Sequence, residues 1–181
     1  MIPSTRIRIS SVSRAIESVI IPALGDDQPF ALEQARLLLG HLAVLQVQDP
    51  WSAQFERLDN LLLREFARDL EGAAHGGPAT TSAVGQLRSL LAEPVPLTLP
   101  EVRAAHSALG AAIRDVIRAV GEDGGDETFR TTALITIRHE RAAADRYRAY
   151  FAAMGYEGPD SPLPDLPDLI SGMQDSLERS G

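Results

Sequence analysis

The sequence predicts an all-α protein, and three observations lead to that prediction. Ala, Leu, Arg, Gln and Glu, which all favour helices, recur throughout the 181 residues. Apolar residues recur at intervals of three and four over long segments, which is the period of an amphipathic helix. No two alternating segments are joined by a hairpin turn. The length and the short connections favour a single domain, residues 1–181, built as an antiparallel up-down bundle of six to seven helices.

The first two predicted helices cover residues 10–24 and 30–48. The first places four apolar side chains on one face, namely Val12, Ile16, Val19 and Ile20. Pro22 and the turn at residues 25–27 end it. The second is rich in leucine and has a broad apolar face, made of Leu32, Leu38, Leu39, Leu42 and Leu45. The width of that face predicts a central position in the bundle.

The third and fourth predicted helices cover residues 50–72 and 80–92. Asp49 and Pro50 form a helix start, since aspartate caps helices and proline is tolerated in the first turn. The apolar stripe of the third helix comprises Trp51, Phe55, Leu58, Leu62 and Phe66. After a loop at residues 75–78, the fourth helix presents Val84, Leu87 and Leu91.

The fifth and sixth predicted helices cover residues 99–121 and 127–155, and the sixth is the longest. Thr98 and Glu101 match a capping box at the start of the fifth. Its apolar stripe is Val102, His106, Leu109, Ile113, Val116, Ile117 and Val120. The stripe of the sixth is Phe129, Ala133, Ile137, Glu140, Ala144, Tyr147, Phe151 and Met154. Seven arginines flank the two stripes, and we interpret them as solvated rows.

A Pro-rich arm and an amphipathic helix end the chain, over residues 157–181. The helix, predicted at 166–179, places five apolar residues on one face, namely Leu166, Leu169, Ile170, Met173 and Leu177. Three roles stay open for this arm: packing on its own chain, clasping a neighbouring subunit, or binding a partner protein.

Composition excludes several classes of function. The chain has no Cys and no Lys, which removes thiol nucleophiles, Cys-ligated metals, Schiff bases and the usual P-loop. A net charge of −8 argues against nucleic acid and anionic lipid as partners. No apolar segment is long enough to span a membrane and the first residues lack a signal-peptide pattern, so we expect a cytoplasmic protein.

Two ionisable residues interrupt the apolar stripes of the fifth and sixth predicted helices. His106 and Glu140 lie at similar distances from the intervening turn, so antiparallel helices would bring them together inside the bundle. A buried carboxylate needs a partner, and the pair is either a structural hydrogen bond or an acid–base pair. Tyr147 is a further candidate near Glu140. We expect no cofactor, and no metal, because His41 and His139 lie away from the predicted core faces.

The stretches at residues 8–24 and 33–45 resemble the start of a group of uncharacterised bacterial all-helical proteins. Those proteins occur in genomes rich in genes of fatty-acid or steroid catabolism. The family has no assigned activity, so the resemblance implies a cytoplasmic accessory protein and assigns no functional residue.

Three functional hypotheses follow from the sequence. The first is a non-catalytic accessory or interaction protein, functioning as a homodimer and without an identifiable catalytic site. The second is a bundle that binds an apolar small molecule or acyl chain, with His106 or Glu140 at its polar end. The third is an enzyme that uses His106 and Glu140 as a buried acid–base pair.

Overall fold

The computed structural model describes residues 3–25, 27–155, 157 and 162–180. Over these ranges the protein is helical and contains no strand, which confirms the predicted all-α class. None of the helices in the described ranges combines the length and apolar character needed to cross a membrane. Part of the predicted Pro-rich arm, residues 158–161, lies outside the described residues.

The helices follow the predicted segments closely. In chain order they are α1 (Thr5–Ala15), a π-helical turn (Ile16–Ile20), α2 (Ile21–Ala23), α3 (Pro29–Gln48), α4 (Ser52–Ala73), α5 (Pro78–Ala92), α6 (Leu99–Asp123), α7 (Gly125–Tyr150), a 3₁₀ turn (Ala152–Met154) and α8 (Leu166–Ser180). The predicted capping box is present at the start of α6, where Thr98 and Glu101 cap each other's backbone. The turn between α6 and α7 needs a glycine, because Gly125 has a φ of +71°.

The chain divides into two compact units. The first comprises Met1–Ser52 and Tyr147–Leu169, and the second comprises Ala53–Arg146 and Ile170–Gly181.

The main hydrophobic core lies in the second unit. It consists of Phe66, Ala67, Leu70, Ala74, Ala83, Val84, Leu87, Leu109, Ala112, Ile113, Val116, Ala119 and Val120. The predicted stripes of α4, α5 and α6 supply most of these side chains, so those faces were predicted correctly. The end of α6 meets the start of α5, since Asp123 accepts hydrogen bonds from the backbone N–H groups of Ala79 and Thr80.

The first unit buries much less of its apolar surface. Helix α1 has no buried residue, and α3 buries only three of the residues described for it. One of these is Gln48, whose amide donates a hydrogen bond of 2.9 Å to the carbonyl of Tyr150. Leu38 and Leu45, which belong to the predicted apolar face of α3, are about half exposed, so that face is not buried as predicted.

The predicted core face of α7 is also wrong. Phe129 is 53% exposed and Ile137 is 63% exposed. Glu140, which lies on the same side of the helix, is exposed too. The inward side of α7 is instead a more polar set, namely Thr132, Ile135, His139, Ala143 and Arg146. On this side Arg146 pairs with the buried carboxylate of Asp59 on α4, and His139 stacks on Phe66.

Candidate functional site

The expected buried pair of His106 and Glu140 does not form. His106 lies on α6 with its side chain 37% exposed, whereas Glu140 points outward from α7 and is exposed. Tyr147 is 40% exposed on the same outward side of α7. Helical geometry explains the error, because turning the polar side of α7 inward carries the neighbouring residue, His139, into the unit.

Asp59 on α4 is the carboxylate that faces His106. Its Oδ2 lies 4.0 Å from Nδ1 of His106, and its Oδ1 accepts a 3.2 Å hydrogen bond from Nη2 of Arg146. The Asp59 carboxylate is 8% exposed and the Arg146 side chain is 13% exposed. A buried carboxylate is stable here because a cation lies against it, so Asp59 joins α4 to α7 and reaches towards α6.

A second ion pair lies one turn earlier along α4 and α6. Arg103 donates two hydrogen bonds to Glu56, from Nε at 2.6 Å and from Nη2 at 2.8 Å. Those hydrogen bonds are the main reason that the pKa of Glu56 lies below its ordinary value, and the nearby Arg103 and His106 charges lower it further. The Glu56–Arg103 pair and the Asp59–His106 contact therefore lie one turn apart between α4 and α6.

His139 belongs to the packing of α7 against α4. Its ring stacks on Phe66, with ring centroids 4.1 Å apart and ring planes 9° from parallel. Burial is the main cause that lowers the pKa of His139 to about 4, and the positive charge of Arg146 lowers it as well. The imidazole is therefore neutral at pH 7 and packs as an aromatic ring.

The cluster around Asp59 lacks the parts of an activated nucleophile. Among the described residues, no hydrogen bond links His106 to a Ser, Thr or Tyr hydroxyl, and the 4.0 Å separation from Asp59 exceeds a hydrogen bond. No group of metal-binding side chains occurs within the described ranges either. This geometry suits a structural ionic cluster that joins three helices.

A different feature of the second unit has the shape of a binding site. An open groove of about 730 Å³ runs between α6 and the Pro94–Leu97 part of the connector that precedes it. Ala104 and Ala108 form its floor on the α6 side, and Arg64 contributes the cation that lines it. The small alanine side chains leave room for the groove.

Arg64 is held by backbone carbonyls. Its Nη2 donates to the carbonyls of Leu91 at 2.7 Å and Glu93 at 2.9 Å, which ties the end of α5 to α4. Its Nε is buried without a hydrogen-bond partner within the described part of the chain. Burial is the main cause that lowers the pKa of Arg64 from its ordinary value.

The sequence contained a signal for Asp59 that the stripe prediction missed. Asp59 follows Phe55 by four residues and precedes Phe66 by seven, so it lies on the apolar stripe of α4. A carboxylate on such a stripe predicts a buried cation nearby. Its partner Arg146 had no comparable signal, because it lies on a face of α7 that is mostly polar.

Comparisons with protein-family models, with curated proteins and with solved structures find no match to this chain.

Proposed function

We propose that this chain is a non-catalytic interaction protein that functions as a cytoplasmic homodimer. The observation that supports the proposal is the exposure of α3, a helix that is apolar nearly all round. Such helices are normally buried, because water disfavours apolar surface on every side. Glu33 and Arg36 are the only residues of α3 with a permanent charge, so little on this helix favours contact with solvent.

Apolar exposure on α7 agrees with this proposal. Phe129, Leu134 and Ile137 are each more than half exposed on the outward side of that helix. Soluble monomers rarely expose contiguous apolar patches larger than a few hundred Å². An interaction protein with apolar helix faces accounts for both helices, whereas an enzyme with a buried acid–base pair requires Glu140 to be inside.

We also propose the up-down order for α4 to α7, on the basis of four residue pairings. Asp59 pairs with Arg146 and Asp69 pairs with Arg138, so later residues of α4 meet earlier residues of α7. Between α4 and α6 the order is the opposite, since Glu56 precedes Asp59 just as Arg103 precedes His106. These pairings favour α4 parallel to α6 and antiparallel to α7.

Native mass spectrometry of the purified protein, with sedimentation velocity at micromolar concentration, tests the proposed function. We expect two copies of the chain and no additional mass from a small molecule. A monomer at these concentrations would overturn the homodimer. A co-purified acyl species would support the second candidate below.

The groove beside α6 favours a second candidate function, the binding of an amphipathic carboxylate. The groove offers apolar walls at Pro94, Pro96 and Leu97 and a cation at Arg64. Glu93 and Glu101 also line the groove, and the negative charge of Glu93 acts on Arg64. A ligand carboxylate would therefore contact Arg64 in competition with Glu93, and its apolar part would lie against the prolines and Leu97.

Isothermal titration calorimetry with decanoate tests this second candidate. We expect saturable binding to the native chain and at least roughly tenfold weaker binding to Ala108→Trp, whose indole fills the groove from an exposed position. Ala142→Trp, at an exposed position on α7, is the matched control. Equal binding by all three proteins would exclude the groove as the site.

A further inference from the structure

Helix α3 carries an exposed face of apolar side chains with one glutamine and one histidine, and Glu33 and Arg36 are exposed outside it. At 100° per residue, six residues fall within an arc of about 100°. They are Phe30, Gln34, Leu37, Leu38, His41 and Leu45, and all six are exposed. We call this set the α3 face.

The large side chains of the α3 face are strongly exposed. Phe30 is 73% exposed, and Leu37, Leu38 and Leu45 are 52%, 54% and 50% exposed. They present on the order of 400 Å² of apolar surface per copy, or about 800 Å² in a symmetric pair, before the polar members and flanking backbone are counted. This apolar area is about two thirds of the 1,200 Å² at which specific interfaces begin, and Gln34, His41 and the flanking residues supply further contact area.

The order of residues on the α3 face is symmetric about its own midpoint, between Leu37 and Leu38. A two-fold axis at that midpoint, perpendicular to the helix, places Phe30 of one copy opposite Leu45 of the other. The same axis places Gln34 opposite His41 of the second copy. Each apolar residue therefore meets an apolar residue, and each polar residue meets a hydrogen-bonding partner.

The centre of the α3 face also fits a two-fold axis. Leu37 and Leu38 point to the two sides of the face, and like sides meet when identical helices pair antiparallel. Leu37 then packs against Leu37 of the second copy, and Leu38 against Leu38 of the second copy. In each contact the two Cα atoms are offset by only about 1.5 Å along the helix axis.

A parallel pair would be less favourable. It would place each residue beside its own copy, so that His41 faced His41 of the second copy and Gln34 faced Gln34. It would also align the two helix dipoles, whereas the antiparallel pair opposes them. Residue order and the helix dipoles favour the antiparallel arrangement.

We infer that a second copy of this chain covers the α3 face, through antiparallel pairing of α3 with α3 about a two-fold axis between Leu37 and Leu38. The inference rests on the proposed homodimer and adds its interface and its register. Helices pack with their axes 8–10 Å apart in such pairs, so facing Cα atoms come within disulfide distance.

The absence of cysteine makes the register directly testable by cross-linking single-cysteine variants. Leu37→Cys should oxidise to a covalent dimer by itself, because it lies beside the axis. Phe30→Cys and Leu45→Cys should each stay uncrosslinked alone. In the antiparallel pair, residue 30 of one copy and residue 30 of the other lie fifteen residues apart along the helix axis, which is about 22 Å, and the same holds for residue 45. An equimolar mixture of these two variants should form the disulfide between unlike chains.

Charged substitutions test whether α3 is the interface at all. Leu38→Lys should raise the dissociation constant of the dimer at least roughly tenfold, because two ammonium groups would meet near the axis. Leu134→Lys tests the exposed apolar side of α7 as the alternative interface. Ala111→Lys, at an exposed position on α6, is the matched control and should leave the dimer intact. Circular dichroism should show the same helix content in all three variants.

Three results would overturn the inference in different ways. Self-linking of Phe30→Cys at the same rate as Leu37→Cys would replace the antiparallel register with a parallel one. A dimer that survives Leu38→Lys and dissociates in Leu134→Lys would move the interface to α7 and leave the proposed homodimer standing. A monomeric native chain in sedimentation velocity would overturn the α3 interface and the proposed function together.

Discussion

The carboxylate of Asp59 determines how His106 and Arg146 are held. It is buried on α4, hydrogen-bonded to Arg146, and 4.0 Å from the His106 ring. Glu140, which the helical pattern favours as the partner of His106, is exposed to solvent. At the scale of single residues, the stabilising ionic contact therefore belongs to a different carboxylate from the predicted one.

Removing the Asp59 carboxylate should destabilise the protein strongly. Asp59→Ala leaves the Arg146 cation nearly buried without its partner, and we expect a loss of about 3 kcal/mol in the free energy of unfolding. Glu140→Gln is the matched control and should change that free energy by less than about 0.5 kcal/mol, since the residue is exposed. Urea unfolding followed by circular dichroism measures both. If both variants lost the same free energy of unfolding, the difference in burial between the two carboxylates would have no effect on stability, contrary to this prediction.

The neutral ring of His139 should make stability depend on pH. Its pKa of about 4 in the folded state lies below the ordinary value of 6.5, so the unfolded chain binds more protons between these values. Stability is therefore fully present above about pH 6.5 and falls as the pH is lowered towards 4. We expect protonation of His139 to lower the free energy of unfolding by about 1–2 kcal/mol, a figure reduced for the partial exposure of the ring.

His139→Phe is the control for this pH dependence. Phenylalanine keeps a flat ring on Phe66 and cannot be protonated, so the variant should lose less stability than the native protein between pH 7 and pH 4.5. Urea unfolding at the two pH values measures the difference. The same loss in both proteins would show that carboxylates alone account for the pH dependence.

At the scale of helices, α7 shows which of two competing faces is buried. The apolar pattern favours the face that carries Phe129 and Ile137, and the chain buries the face that carries His139 and Arg146 instead. Contacts with α4 favour the second face, because Arg146 pairs with the buried Asp59 and His139 stacks on Phe66. Periodicity within one helix contains no information about the charge of its neighbour.

The start of α5 depends on a cap supplied by a different helix. Asp123, at the end of α6, accepts backbone hydrogen bonds from Ala79 and Thr80 and a hydroxyl hydrogen bond from Thr80. These hydrogen bonds, above all that of the Thr80 hydroxyl, hold the pKa of Asp123 below its ordinary value. The cap joins α5 to α6 at one end of their contact.

Asp123→Ala should therefore lower the thermal unfolding midpoint by several degrees, because the first backbone N–H groups of α5 lose their acceptor. Glu122→Ala, at the exposed neighbouring position, is the control and should leave the midpoint nearly unchanged. Differential scanning calorimetry of the two variants provides the comparison. Identical midpoints would mean that water replaces the carboxylate without cost.

At the scale of the whole molecule, burial is uneven between the two units. The second unit contains the main core, with Leu70, Leu87 and Val116 fully buried, whereas α1 in the first unit has no buried residue. Apolar contacts stabilise the helices of the second unit within one chain. The exposed apolar surface of the first unit is the basis of the proposed self-association.

Hydrogen exchange should reflect this difference in burial. Amides of α6 should exchange near the rate of global unfolding, and amides of α1 should exchange roughly a hundredfold faster or more, because local opening of α1 exposes little new apolar surface. Mass spectrometry of peptides from the two helices measures both rates. Equal protection of α1 and α6 would show that α1 is covered in solution.

The sequence by itself determined the helical class, the helix boundaries to within about five residues, and the buried faces of α4, α5, α6 and α8. These features are local, since helix propensity, capping residues such as Thr98 and apolar spacing act within one segment. The tertiary structure alone decided which face of α7 is buried, which carboxylate faces His106, and which apolar side chains of α3 are exposed. Those choices depend on residues far apart in the sequence, because a buried charge selects its partner by distance in space.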